Sequence, residues 1–177
     1  VKRLHPVGPL AWLACASVLA WARLAPGATA EPGILPLEDF PRETITVETR
    51  SARLHRFVAW RADSPRTREQ GLMFVRGLDP DQAMIFVYDP PAQVSMWMKN
   101  TLIPLDMLFV DADGCVVMVE REARPESLSV ISAGRPVALV VEIGGGVAQT
   151  LGIGRGDRVT RPEAGWPPTT KACPAGD

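Results

Sequence analysis

The feature that most constrains this chain is the length and texture of its apolar runs. "TITVET" (44–49), "RLHRFVAW" (53–60), "AMIFVYD" (83–89), "QVSMWM" (93–98), "PLDMLFVD" (104–111), "CVVMVER" (115–121) and "PVALVVEI" (136–143) are short and β-branched or alternating, and polar turns cut them apart. Runs of this kind read as strands. In "DSPRTREQGLMF" the period changes. Ser64 can cap and Pro65 fits a first helical turn, which predicts a helix to about Met73, stopped by Gly77. A short helix is expected after Gly144–Gly146, a last strand in "GDRVT", turns at Pro90-Pro91 and "DADG", and a loop over 122–135 with one short strand near Leu128–Ile131. The sum is a mainly β (α+β) domain: a compact barrel-like sheet of short strands with one or two short helices.

The ends of the chain read differently. Lys2 and Arg3 precede an apolar stretch from about Leu10 to Leu24, and "ATA" (28–30) stands before Glu31. This is the pattern of a secretory signal peptide over residues 1–30, so a periplasmic location is expected. Membrane attachment is expected only through this segment, if it stays uncleaved. Residues 31–43 form a Pro-rich extended leader, 44–160 a single globular domain, and 161–177 a Pro-rich tail. The first 30 residues hold three basic residues and no acid, which leaves 16 Lys+Arg against 20 Asp+Glu, a net charge of −4 with His neutral. Such a domain lacks the basic footprint that nucleic acid requires.

Beyond residue 30 two cysteines remain, Cys115 and Cys173. In an oxidising compartment they are a candidate disulfide, with two free thiols as the alternative. His55 is the one remaining His, expected on a strand surface, so no multi-His metal site can be built and no cofactor is implied. The glycine run lacks the Lys-Ser/Thr of a phosphate loop, and "RGD" (155–157) reads as a turn.

The chemistry concentrates in "SMWMKNTLIPLDMLFVD" (95–111). Asn100 is the only Asn, and Lys99 one of three Lys against 16 Arg. A compact ammonium beside the sole Asn suggests a chosen pair. Asp106 lies in a strand apolar on both faces, so it must be paired or hydrogen-bonded. Lys99 and the backbone N–H groups of the 99–101 turn are its nearest partners in sequence, and Asn100 suits such a turn. Glu142 closes another apolar strand. If the sheet brings it near Lys99, then Lys99, Asp106 and Glu142 surround one cleft, with Arg68, Gln70 and Arg76 able to line it. The bland account, an architectural ion cluster, carries more weight than acid–base catalysis, because buried pairs also mark folds without chemistry.

Four ordered motifs, "QGLMFVRGL", "AMIFVYD", "WMKNTLIPLDMLFVDADGCVV" and "VEIGGGVAQTLGIGRGDRV", resemble the bacterial and archaeal family called domain of unknown function 192. The likeness spans about Thr44 to Thr160. The distinctive Trp-Met-Lys-Asn-Thr and Pro-Leu-Asp segments fall on 97–101 and 104–106, and the Glu-x-x-x-Gly pattern on Glu142 and Gly146. The resemblance implies a small barrel-like β fold, often exported, and brings no activity, substrate or cofactor. The leading expectation is therefore a non-enzymatic periplasmic binding or envelope-associated domain, its partner a small molecule or an envelope component. The candidate ligand-binding residues are Trp97, Lys99, Asn100, Thr101, Asp106, Glu142 and Arg68. The alternatives are a hydrolase- or lyase-type enzyme using Lys99, Asp106 and Glu142, and a purely architectural cluster.

Overall fold

The computed structural model describes residues 33–167 and 171–174. The signal-like segment, the first two leader residues and parts of the tail lie outside them. Seven strands form one sheet: β1 (Arg42–Glu48), β2 (Leu54–Ala62), β3 (Gln82–Ala92), β4 (Leu105–Val110), β5 (Val116–Ala123), β6 (Val137–Gly144) and β7 (Arg158–Thr160). Two short helices, α1 (Pro65–Gln70) and α2 (Val147–Leu151), accompany them. The order across the sheet is β5-β4-β6-β3-β2-β1-β7, and it curls into a half-barrel, the mainly β domain expected from the runs. β2 and β3 are parallel, which requires a crossover, and α1 lies in that crossover. All other strand pairs are antiparallel.

Both faces of the central strands are covered. β4 is buried at every position and β6 at all but its last, which is why they read as continuous apolar runs. Alternation sorts their side chains into two cores. Met84, Phe86, Leu105, Met107, Phe109 and Val140 join one. Ile85, Leu108, Val110, Leu139, Val141 and Ile143 join the other, with α2 packed there through Ala148.

Several elements depart from expectation for local reasons. The helix α1 starts on a Ser64–Thr67 capping box with Pro65 in its first turn, as read, but ends at Gln70. Gly71 terminates it at φ 50°, donating its N–H to the Thr67 carbonyl. Pro90-Pro91 does not close β3, which runs on to Ala92 through an irregular stretch where pairing with β6 shifts register. The expected strand over 93–98 reduces to a single bridge between Met96 and Ile131.

The leader and tail are bound to the domain. The Gln70 side chain exchanges two hydrogen bonds with the Leu35 backbone, at 2.8 and 2.7 Å. Glu43 and Arg161, the residues just outside the limits drawn at 44 and 160, form a buried ion pair that Arg61 joins at 3.2 Å. Burial alone would raise the Glu43 carboxyl, but the hydrogen bonds and charges of Arg161 and Arg61 outweigh it and hold it below its usual value. Cys115 and Cys173 are joined in a disulfide, the pairing left open by the sequence.

Candidate functional site

Asp106 is fully buried on β4, and its partners are not the expected ones. Lys99 and the 99–101 turn do not reach it. One carboxylate oxygen accepts the N–H of Glu122 at 2.8 Å, and the other accepts that of Ala148 at 2.8 Å. Glu122 stands at positive φ, where the β4–β5 ladder loses register between Leu105 and Met107. A bulge leaves a backbone donor unpaired, and the carboxylate takes it up. The second bond holds the first turn of α2. Asp106 thus ties three elements together with both oxygens occupied.

Glu142 faces the other way. The register pairs Met107 with Glu142 and Asp106 with Ile143, so side-chain alternation puts the two carboxyls on opposite faces of the sheet. The shared cleft of Lys99, Asp106 and Glu142 does not form. Glu142 is 4 % exposed and, among the described residues, its carboxyl has no hydrogen bond and no ion pair. Burial pushes it from the ordinary 4.5 up to about 8.

A cavity of about 440 Å³ opens over Glu142. One wall is α1 and the turn after it, including Arg68 and Met73; another is the end of β3 with Tyr88; the third is the segment carrying Trp97, Lys99 and Thr101. Arg68 is anchored, donating to the carbonyls of Asp63 and Val87 at 2.7 and 2.9 Å and stacking on Tyr88 at 5.3 Å. Burial raises the Tyr88 phenol; Arg68 opposes that shift and the Glu142 charge adds to it. Lys99 is exposed, and its ammonium has no partner among the described residues. Trp97 is 49 % exposed. Both line the cavity while facing solvent, so they form its rim.

Of the expected site residues, Trp97, Lys99, Thr101, Arg68 and Glu142 meet at this cavity, with Gln70; Asn100, Asp106 and Arg76 do not line it. Asn100 acts beside it. Its φ of 56° makes the turn, as its residue type suggested, while its carbonyl accepts the Phe74 N–H at 2.8 Å and fixes the chain after α1. Tyr88 escaped the sequence reading, because it carried no signal beyond membership of an apolar run. His55 is half-buried rather than on the surface, with its Nε2 unpartnered. Among the described residues no group of three or more His, Cys, Asp or Glu could hold a metal ion, and no helix is long and apolar enough to cross a membrane.

A curled, mainly β half-barrel with a cavity above one lone carboxyl is the class that fold and site define. The chain belongs to the DUF192 family, described as "Uncharacterized ACR", whose model matches residues 45–161. It is similar to a crystal structure from Sinorhizobium meliloti 1021, provisionally titled a transcription regulator: 39% identity, TM-score 0.68, covering 70% of this chain and 95% of that one. It is also similar to a protein of unknown function from Novosphingobium aromaticivorans DSM 12444, at 36% identity and TM-score 0.68, covering 75% of this chain and 94% of that one. No curated protein matches.

Proposed function

We propose that this protein is an exported, non-enzymatic binding domain that takes a small molecule into the cavity above Glu142. One observation carries the reading. A carboxyl on a residue this buried that takes no hydrogen bond from the described residues is costly, and native folds rarely keep one. This one lines a cavity large enough for a small molecule, with an aromatic and an ammonium at its rim. A ligand that bonded the carboxyl would offset the cost. The signal-like N-terminus supports export, as does the Cys115–Cys173 disulfide, since such bonds persist in oxidising compartments. The acidic balance beyond residue 30 disfavours nucleic acid, and with it a role in transcription.

The test is mass spectrometry of small molecules retained by the protein purified from periplasm. A molecule held by the native chain and lost from Trp97→Ala and Glu142→Gln supports the reading. A cavity that retains nothing in either form, in a chain found only in the cytoplasm, overturns it.

A second reading rests on the same carboxyl. A group whose proton leaves near neutral pH suits general acid–base work. Under it, the retained molecule is converted on incubation; under the first reading it is recovered unchanged. Asp106 has no part in either, because both of its oxygens are committed to backbone N–H groups.

A further inference from the structure

The cavity holds two groups with opposite needs. Among the described residues, Glu142 at its floor takes no hydrogen bond, and Lys99 at its solvent-facing rim forms no ion pair. They do not pair with each other, so among the described residues no contact satisfies either. The remaining charged or titratable groups facing this space are committed or exposed. Arg68 on α1 is spent on two carbonyls and the Tyr88 ring; Glu69 beside it points to solvent; Tyr88 on β3 has its hydroxyl against the Met96 sulfur at 3.9 Å. From β4, the cross-strand neighbour of Glu142 is Met107, and from β3 it is Met84, neither able to neutralise a charge.

We infer that the cavity takes an amino-acid-like zwitterion, its ammonium against Glu142, its carboxylate against Lys99, and its apolar body along Trp97 and Met73. This deepens the binding function proposed above and rests on it. An ammonium alone would leave Lys99 unmatched, and a carboxylate alone, placed against Lys99, would leave Glu142 without a partner. A molecule with both charges spans the two groups that the fold keeps apart.

The inference has a proton signature. At neutral pH the empty cavity holds Glu142 as the acid, because burial penalises its charge. When the ligand enters as an ammonium, the acid ionises, the carboxylate pairs with the ammonium, and one proton leaves for solvent. Binding at pH 7 should release close to one proton. Affinity should therefore rise with pH, by up to about tenfold per unit, until the free carboxyl ionises by itself.

Calorimetric titration of the protein purified from periplasm tests this, run in buffers of different ionisation enthalpy. The probes are unbranched ω-amino acids of two to six carbons, with the primary amines, carboxylates and alcohols of matching length. One ω-amino acid should bind at least about tenfold more tightly than its amine or carboxylate counterpart, with proton release. Glu142→Gln should abolish the proton release and weaken the ω-amino acid and amine about tenfold or more, leaving the carboxylate unchanged. Lys99→Met should weaken the ω-amino acid and carboxylate and leave the amine unchanged. An alcohol or carboxylate that binds as well as the ω-amino acid, or binding without proton release, overturns the zwitterion while leaving a binding cavity. Silence of every probe also overturns it. Binding as such then stands or falls with the molecule retained from periplasm, its fate in Glu142→Gln being a separate result.

Discussion

Asp106 and Glu142 stand on adjacent strands one register step apart, and the fold treats them in opposite ways. On one face the carboxylate meets two backbone N–H groups and joins β4, a bulge in β5 and the start of α2. On the other, a carboxyl on a residue also buried, at 4 % exposure, meets methionines across the strands and a cavity above. Burial alone therefore does not separate architecture from function; the partner count does. A fully bonded carboxylate strengthens the fold, whereas a lone one is kept at a cost to it. If the comparison is right, removing the two groups should move stability in opposite directions.

The largest effect is expected at Asp106. Asp106→Ala strands the Glu122 and Ala148 N–H groups and should cost about 3–5 kcal/mol in urea unfolding, or abolish folding. A loss under about 1 kcal/mol would break the tether assigned to it. At Glu142 the sign reverses and depends on pH. The folded chain holds that proton up to about pH 8, and the unfolded chain releases it near 4.5. Between these values the native state binds more protons, so stability falls as pH rises, with a limiting slope of about 1.4 kcal/mol per pH unit. Glu142→Gln should remove that component and be more stable than the native chain at pH 8.5; an unchanged stability-versus-pH curve would show the carboxyl to be solvated.

Smaller effects sharpen the contrast at the cavity walls. Gly71 sits at positive φ, and an added Cβ would lie 3.0 Å from the Phe86 ring. Gly71→Ala should cost about 1–2 kcal/mol and shift the wall carrying Arg68, which denaturation and ligand titration would both register. Lys99→Met should be the mildest, within about 0.5 kcal/mol in a melt, since its exposed ammonium has no partner among the described residues to lose. A severe loss of folding there would return Lys99 to the architecture.

Period-two texture was enough to see that Asp106 and Glu142 are buried, because both interrupt apolar strands. Which face each occupies was not legible, since that depends on β4–β6 register, and register is a property of the pairing rather than of either strand. The partners of Asp106 were hidden for a related reason. They are backbone groups 16 and 42 residues away, and an N–H has no residue type to announce it. Asn100 was readable because a left-handed turn position narrows the choice of residue. The Pro90-Pro91 stretch misled because prolines that end most strands can also ride in an irregular one. Glu43 with Arg161 fell outside the drawn limits, as contacts between chain ends leave no local pattern.

The joint between Cys115 and Arg158 has a consequence for how these molecules behave in a crowd. A curled sheet that stops short of a full ring has two raw margins, here β5 and β7, and unpaired margins invite strands from neighbours. The Cys115–Arg158 bridge and the Val116–Asp157 backbone bond lace those margins to each other at one end, and the disulfide stitches the tail across the seam. Cutting that stitch would free the seam, and the harm would show as self-association before any loss of the cavity.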